Sequence, residues 1–108
     1  MFLVQPEHPR ARRYPFVATI ELTDVQSETQ TSAQTSDLSL FGCHVDMRNP
    51  LPTGTRVRLR IVHKGAKFVA SGRVAFVLPS TGMGILFTQI EPDNQLILEK
   101  WIAELRDR

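Results

Sequence analysis

The sequence predicts a mainly β fold, in which five or six short antiparallel strands form a small barrel or sandwich that one C-terminal α-helix covers. Three observations support this prediction. Apolar and polar residues alternate with a period of two through most of residues 16–90, which is typical of half-buried strands. The period becomes helical after Glu91, and the 108 residues suffice for one hydrophobic core but not for a second domain.

The first strand is predicted at residues 16–23, where every second residue is apolar. The polar residues 24–36 contain neither Pro nor Gly, and fit either a mobile loop or part of an exposed hairpin. Residues 38–47 alternate again, but the apolar positions change from even to odd numbers at Phe41-Gly42. A bulge or corner is expected there, because glycine tolerates the backbone angles that a change of face requires.

Three more strands are predicted before the helix. Residues 55–62 alternate strictly between apolar residues and arginines, which predicts a strand with a basic outer face. Residues 67–78 predict a longer strand with a bulge or bend at Gly72, and residues 83–90 predict a last strand after a turn. The apolar residues in phase along the longer strand are Phe68, Ala70, Val74, Phe76 and Leu78.

The C-terminal helix is predicted from about residue 92 to 106, since Pro92 suits a first helical turn. Basic residues in its last turn agree with the helix dipole. An apolar stripe with helical spacing is expected to face the sheet. That stripe consists of Leu98, Trp101, Ile102 and Leu105.

Composition narrows the class of protein. Apolar residues make up 42% of the chain and charged residues 22%, which is typical of a folded soluble domain rather than a disordered one. No stretch approaches the roughly 20 apolar residues that span a bilayer, and the N-terminus lacks the pattern of a secretory signal. We therefore expect a cytoplasmic protein that does not insert into a membrane.

Charge is segregated along the chain although the net charge is only +2. Residues 1–16 contain three arginines and one acid, and residues 52–73 contain six basic residues and no acid. Two such segments could build one anion-binding surface, or the second could simply be the solvated face of a strand.

Catalysis and metal binding find little support in the sequence. The single cysteine, Cys43, excludes a disulfide within the chain and a zinc cluster, and the three histidines fit no helical metal motif. Cys43 and His44 resemble a nucleophile and its base, but adjacent residues of a strand point to opposite faces. We expect Cys43 to be a small buried residue, and we expect no enzyme, no metal and no cofactor.

Two segments stand out. Arg10-Ala-Arg12-Arg13 forms a cationic cluster immediately before the first strand, and Asp37-Leu-Ser39-Leu-Phe-Gly42 enters the change of phase. The simpler interpretation of the first is a solvated arm, and that of the second is a turn in which Asp and Ser bond their own backbone.

Together these segments resemble the PilZ family, the bacterial receptors for cyclic di-GMP. Asp37-x-Ser39-x-x-Gly42 matches the family motif D/N-x-S-x-x-G, and the likeness extends from about residue 8 to 105. The resemblance implies a six-stranded antiparallel split barrel with a C-terminal helix, formed by residues 16–108 after a basic arm at residues 1–15. Further matches are Cys43-His-Val45, Pro50-Leu-Pro52-x-Gly54, Gly72-Arg-Val74 and Gly82-Met-Gly84-Ile-Leu-Phe87.

The resemblance also implies a function: the chain would bind cyclic di-GMP, change conformation and signal to a protein partner, with an output in motility, pilus assembly or biofilm formation. The arginines would contact phosphate or guanine and stack on the bases, the Asp and Ser would hydrogen-bond the ligand, and the Gly would leave room for it. The implied ligand-binding residues are Arg10, Arg12, Arg13, Asp37, Ser39 and Gly42.

One departure keeps an alternative open. The family's arginine motif is R-x-x-x-R, whereas Arg10 lies three residues before Arg13 and the position four before it is Pro9. This spacing favours a PilZ-like adaptor that has lost ligand binding and acts through protein contacts only. A third hypothesis is a nucleic-acid binder that uses the arginines of residues 56–73, but one Tyr and one Trp offer little for base stacking.

Overall fold

A computed structural model describes residues 2–3 and 11–108 of the chain. Within those residues the chain forms eight strands followed by one helix. The elements are β1 (Phe2–Leu3), β2 (Tyr14–Pro15), β3 (Thr19–Asp24), β4 (Gln30–Leu38), β5 (Gly42–Asp46), β6 (Arg56–His63), β7 (Ala66–Leu78), β8 (Gly82–Ile90) and α1 (Pro92–Arg106).

Six of these strands close into an antiparallel barrel. The order around the barrel is β8-β5-β4-β3-β6-β7, and pairing of β7 with β8 closes it. Outside this ring β1 pairs with β8, and β2 pairs with the end of β4. The six-stranded antiparallel barrel with a C-terminal helix that the sequence predicts is therefore confirmed.

Alternate residues of the strands fill the barrel, and α1 packs its apolar stripe against that core. Trp101 of this helix is buried, with its ring centroid 5.5 Å from that of Phe16 and 6.2 Å from that of Phe68. Full burial of a large apolar side chain contributes roughly 1.5–3 kcal/mol, so this stripe holds the helix to the barrel. No helix in the described part of the chain is long and apolar enough to cross a membrane.

The change of phase at Phe41-Gly42 is a corner between two strands. The predicted bulge or corner is a corner, because β4 ends at Leu38 and β5 begins at Gly42. A Cβ atom on Gly42 would lie 2.1 Å from the carbonyl oxygen of Ile85, so only glycine lets β5 approach β8 this closely.

Residues 24–36, for which the sequence left two interpretations open, form the hairpin of β3 and β4. The side chain of Asp24 fixes its turn by accepting a hydrogen bond of 2.9 Å from the amide of Gln26. The register then runs from Thr23 opposite Gln30 to Thr19 opposite Gln34.

The pairing of β7 with β8 is irregular at two places. The irregularity predicted at Gly72 is present, but its extra residue is Thr88 of β8, because Ser71 pairs with Gln89 and Gly72 with Phe87. The bulge of β7 itself is at Ala75, between Val74 and Phe76. An extra residue in a strand reverses which face the following side chains occupy. The even-numbered phase predicted to run through residues 76 and 78 is therefore wrong, since Leu78 is exposed and Val77 packs against the core.

Candidate functional site

Four of the six predicted ligand-binding residues meet at one pocket on the outside of the barrel. Arg13, Asp37, Ser39 and Gly42 line a shallow cavity of about 70 Å³ beside the corner between β4 and β5. The opposite wall of the cavity comes from β7 and β8, and Phe76 is the one aromatic side chain of that wall. Strand pairing brings together residues that are far apart in the sequence.

Ser39 shapes the corner. Its hydroxyl oxygen accepts hydrogen bonds from the amides of Phe41 at 3.1 Å and Gly42 at 3.2 Å, and the hydroxyl donates to the Gly42 carbonyl at 3.4 Å. The residue is only 7% exposed. Its hydrogen-bonding capacity is thus used within the turn, which is the simpler interpretation that the sequence offered for this segment.

Asp37 holds the two strands together at an irregular point. Its Oδ1 accepts a hydrogen bond of 3.0 Å from the amide of His44, next to the shift of register between Thr35 and Asp37. No hydrogen bond from the described residues reaches Oδ2. One carboxylate oxygen therefore serves the fold, and the described residues leave the lone pairs of the other unused.

Arg13 brings positive charge to the pocket. Its guanidinium carbon lies 6.0 Å from the centroid of the Phe76 ring, at the outer limit of a cation–π contact. The guanidinium carbon of the preceding arginine, Arg12, lies instead 5.7 Å from the centroid of the Tyr14 ring, and Arg12 does not line the cavity. Arg10 lies outside the described residues. The structure thus places one of the three predicted arginines at the pocket.

Phe76 is a pocket residue that the sequence analysis assigned to the phase of the core. The bulge of β7 at Ala75 turns it outward, where it is half-buried. A Cβ atom on Gly84 would lie 2.1 Å from its ring, so the ring rests directly on the backbone of β8. The signal that could have identified it is the pair Gly82 and Gly84, because glycines in a strand mark places where another group approaches closely.

Cys43 and His44 diverge as the strand pattern predicts. Cys43 is 5% exposed, and burial, together with the nearby charge of Asp37, raises the pKa of its thiol to about 12. The imidazole of His44 is on the outer face, with Nδ1 2.9 Å from the hydroxyl oxygen of Ser36. The thiol therefore stays protonated at neutral pH and has no base beside it.

The arginines of β6 are remote from this pocket. Strand β6 lies three positions from β5 around the six-stranded ring, which places the two on opposite walls of the barrel. Arg58 donates to Glu28 at 2.9 Å, and Arg60 pairs with Glu21. The arginines of β6 therefore do not line this pocket, whereas Arg73 of β7 lies opposite Leu86, which does.

Comparison with known proteins identifies the fold independently. The model of the PilZ domain family matches residues 6–104. No curated protein sequence matches the chain. Among solved structures, the PilZ domain of CeSA from a cellulose-synthesizing bacterium is 21% identical with a TM-score of 0.71, over 89% of this chain and 99% of that one.

Two further structures share the fold at lower identity. The PilZ domain of YcgR from Escherichia coli, solved with c-di-GMP, is 14% identical with a TM-score of 0.73, over 91% of each chain. The inhibitor of motility MotI from Bacillus subtilis is also 14% identical, with a TM-score of 0.75 over 90% of this chain and 50% of its own length. The chain thus spans nearly the whole of the isolated domains and half of the longer protein.

Proposed function

Because the chain belongs to the PilZ domain family, we propose that it is a receptor for cyclic di-GMP that changes conformation on binding and signals to a protein partner. The observation that carries the proposal is the convergence of Arg13, Asp37, Ser39 and Gly42 on one pocket. A structural neighbour, the PilZ domain of YcgR, was solved with the same ligand. The proposed setting is the bacterial cytoplasm, and the proposed role is not enzymatic.

The chemistry of the pocket suits a guanine nucleotide with two phosphates. The guanidinium of Arg13 can pair with phosphate or with the O6 and N7 acceptors of guanine. The free oxygen of Asp37 can accept from the N–H donors of guanine, and the face of Phe76 offers a surface for a base. In this proposal Ser39 keeps the corner in shape, and Gly42 keeps the backbone open to the ligand.

Signalling follows from how the arm joins the pocket. The two residues of β2 pair with the end of β4, and Pro15 lies opposite Asp37. The arginines therefore precede a strand that is anchored beside the ligand-binding carboxylate. We propose that Arg10 and Arg12 join Arg13 on the ligand, so that binding moves the arm and creates a new surface for a partner.

The test is isothermal titration of the purified protein with cyclic di-GMP, with GTP and cyclic di-AMP as controls. Saturable binding of cyclic di-GMP alone is the expected result, and the stoichiometry separates one ligand from an intercalated pair. Arg13→Ala and Asp37→Asn should each weaken binding at least tenfold, since each removes a charged hydrogen-bonding group. Arg48→Ala, which removes an exposed arginine outside the pocket, is the matched control and should bind like the wild type.

The second candidate is an adaptor that acts through protein contacts only. The spacing of Arg10 and Arg13 favours it, as do the hydrogen bonds that Asp37 and Ser39 already make with their own backbone. Absence of binding at high micromolar cyclic di-GMP, in a sample whose circular dichroism shows a folded β protein, would support this candidate and refute the receptor.

A further inference from the structure

The outer face of β6 and β7 is strongly basic. Both strands alternate as half-buried strands do, so that the exposed side chains of the two strands form one surface, here called the basic face. Across the two strands the outward rows are Arg56 with Arg73, Arg58 with Ser71, Arg60 with Val69, and Val62 with Lys67.

The first row places two like charges side by side. Arg56 and Arg73 are both exposed and are directly opposite in the register. Arg58 and Arg60 have carboxylate partners in Glu28 and Glu21, but no acidic residue in the described part of the chain forms an ion pair with Arg56 or Arg73. Like charges directly opposite on antiparallel strands destabilise a sheet.

Residues that destabilise a fold, and whose cost no other contact of the fold offsets, often mark a binding surface. The rest of the basic face supports this interpretation. Residues 52–73 contain six basic residues and no acid, and Val69 is 46% exposed in the middle of the face. A groove of about 310 Å³ lies beside the arginine rows and is lined in part by Arg56, Arg58 and Ser71.

We propose that the basic face binds an acidic segment of a partner protein. A carboxylate already lies against this face, since Glu28 accepts from Arg58 at 2.9 Å, and the guanidinium groups of the first row can pair with further carboxylates. Val69 supplies an apolar contact between the charged rows, as protein interfaces require. The outward rows contain no aromatic residue on which a nucleic-acid base could stack.

The basic face and the nucleotide pocket use different residues, although β7 contributes to both, and the proposal stands whether or not cyclic di-GMP binds. It is tested by fluorescence anisotropy with fluorescein-labelled poly-L-glutamate of about 20 residues, a length that more than spans these strands. The wild type should bind this probe saturably at low ionic strength. The Arg56→Glu/Arg73→Glu variant should bind at least tenfold more weakly.

The matched control is Arg48→Glu/Lys100→Glu, which changes the net charge equally at two exposed residues away from the basic face. Its affinity for poly-L-glutamate should change less than threefold. Equal loss in both variants would show that only net charge matters, and would overturn the proposal. Tighter binding of a labelled 20-nucleotide oligothymidylate than of poly-L-glutamate would overturn it in favour of a nucleic acid.

Thermal unfolding gives a second readout that excludes simple loss of the fold. Arg73→Glu alone places a carboxylate opposite Arg56, so its melting temperature should rise above that of the wild type while its affinity for the probe falls at least fivefold. A variant that is more stable and still binds the probe like the wild type would refute the proposal. Titration of the same variant with cyclic di-GMP reports on the pocket separately.

Discussion

The geometry of the pocket depends on a single side-chain group, the hydroxyl of Ser39. It accepts from two amides of the corner and is buried, so its removal leaves two donors without a partner. Ser39→Ala should lower the free energy of unfolding by about 1–3 kcal/mol, measured by urea denaturation. Ser32→Ala, at an exposed position of the preceding strand β4, should change it by less than about 0.5 kcal/mol. Equal effects of the two substitutions would contradict the role given to Ser39.

The position of the Phe76 ring depends on a second single residue, Gly84. Because a Cβ atom at position 84 would overlap the ring, Gly84→Ala should displace Phe76 and destabilise the protein by about 1–3 kcal/mol. In a Phe76→Ala background the same substitution has no ring to displace and should cost about 1 kcal/mol less. The double-mutant cycle measures this coupling by denaturation. Additive effects would show that the ring does not rest on Gly84.

At the scale of elements, the aromatic cluster between β6 and α1 carries a pH dependence. His63 ends β6, with its ring centroid 4.6 Å from Phe16 and 5.5 Å from Trp101. Burial lowers its pKa, the charges of Lys64 and Arg108 lower it further, and Glu104 opposes them. The folded state thus favours the neutral imidazole more than the unfolded state does.

The resulting stabilisation is fully present above the ordinary histidine pKa of about 6.5 and is lost as the pH falls through that value towards the lowered one. The wild type should therefore be less stable at pH 5 than at pH 7.5. His63→Gln, which cannot be protonated, should lose less stability over the same interval. Urea denaturation followed by Trp101 fluorescence measures both. An identical loss in the variant would assign the pH dependence to other groups.

Elements differ in how far the sequence could predict them. Strand β6 and helix α1 were predictable because their periodicity is local: arginines alternate along one, and a stripe of four apolar residues follows the other. The bulge of β7 at Ala75 could not be predicted, because it depends on which residues of β8 lie opposite. Phe76 faces Gly84 only once that register exists, so its outward position has no signature within β7 alone.

The candidate site, too, could be predicted only in part from the sequence. The spacing of Asp37, Ser39 and Gly42 identified the corner, and pairing of β2 with β4 places Arg13 beside it. The aromatic wall comes from strands about 40 residues further along the chain, and only tertiary pairing brings it to the pocket. Sequence could also predict that β6 has a basic face, but not that Arg73 of β7 joins it opposite Arg56.

At the scale of the whole molecule, the two proposed binding surfaces share β7, since Phe76 lines the pocket and Arg73 belongs to the basic face. Coupling between two sites requires an element with two arrangements that both sites bias. Strand β7 is paired on both sides and covers a packed core, whereas the arm is held by β1 and β2, which are strands of two residues each. The element that can respond to ligand is therefore the arm rather than β7.

It follows that the two ligands should bind nearly independently. Titration of cyclic di-GMP into protein saturated with poly-L-glutamate should give a dissociation constant within twofold of that for the protein alone, or about 0.4 kcal/mol of coupling. Sodium chloride at the same counterion concentration is the control, because screening alone weakens charged contacts. A change of fivefold or more would mean that the barrel itself has two arrangements. In that case the partner on the basic face would sense the nucleotide through the barrel rather than through the arm.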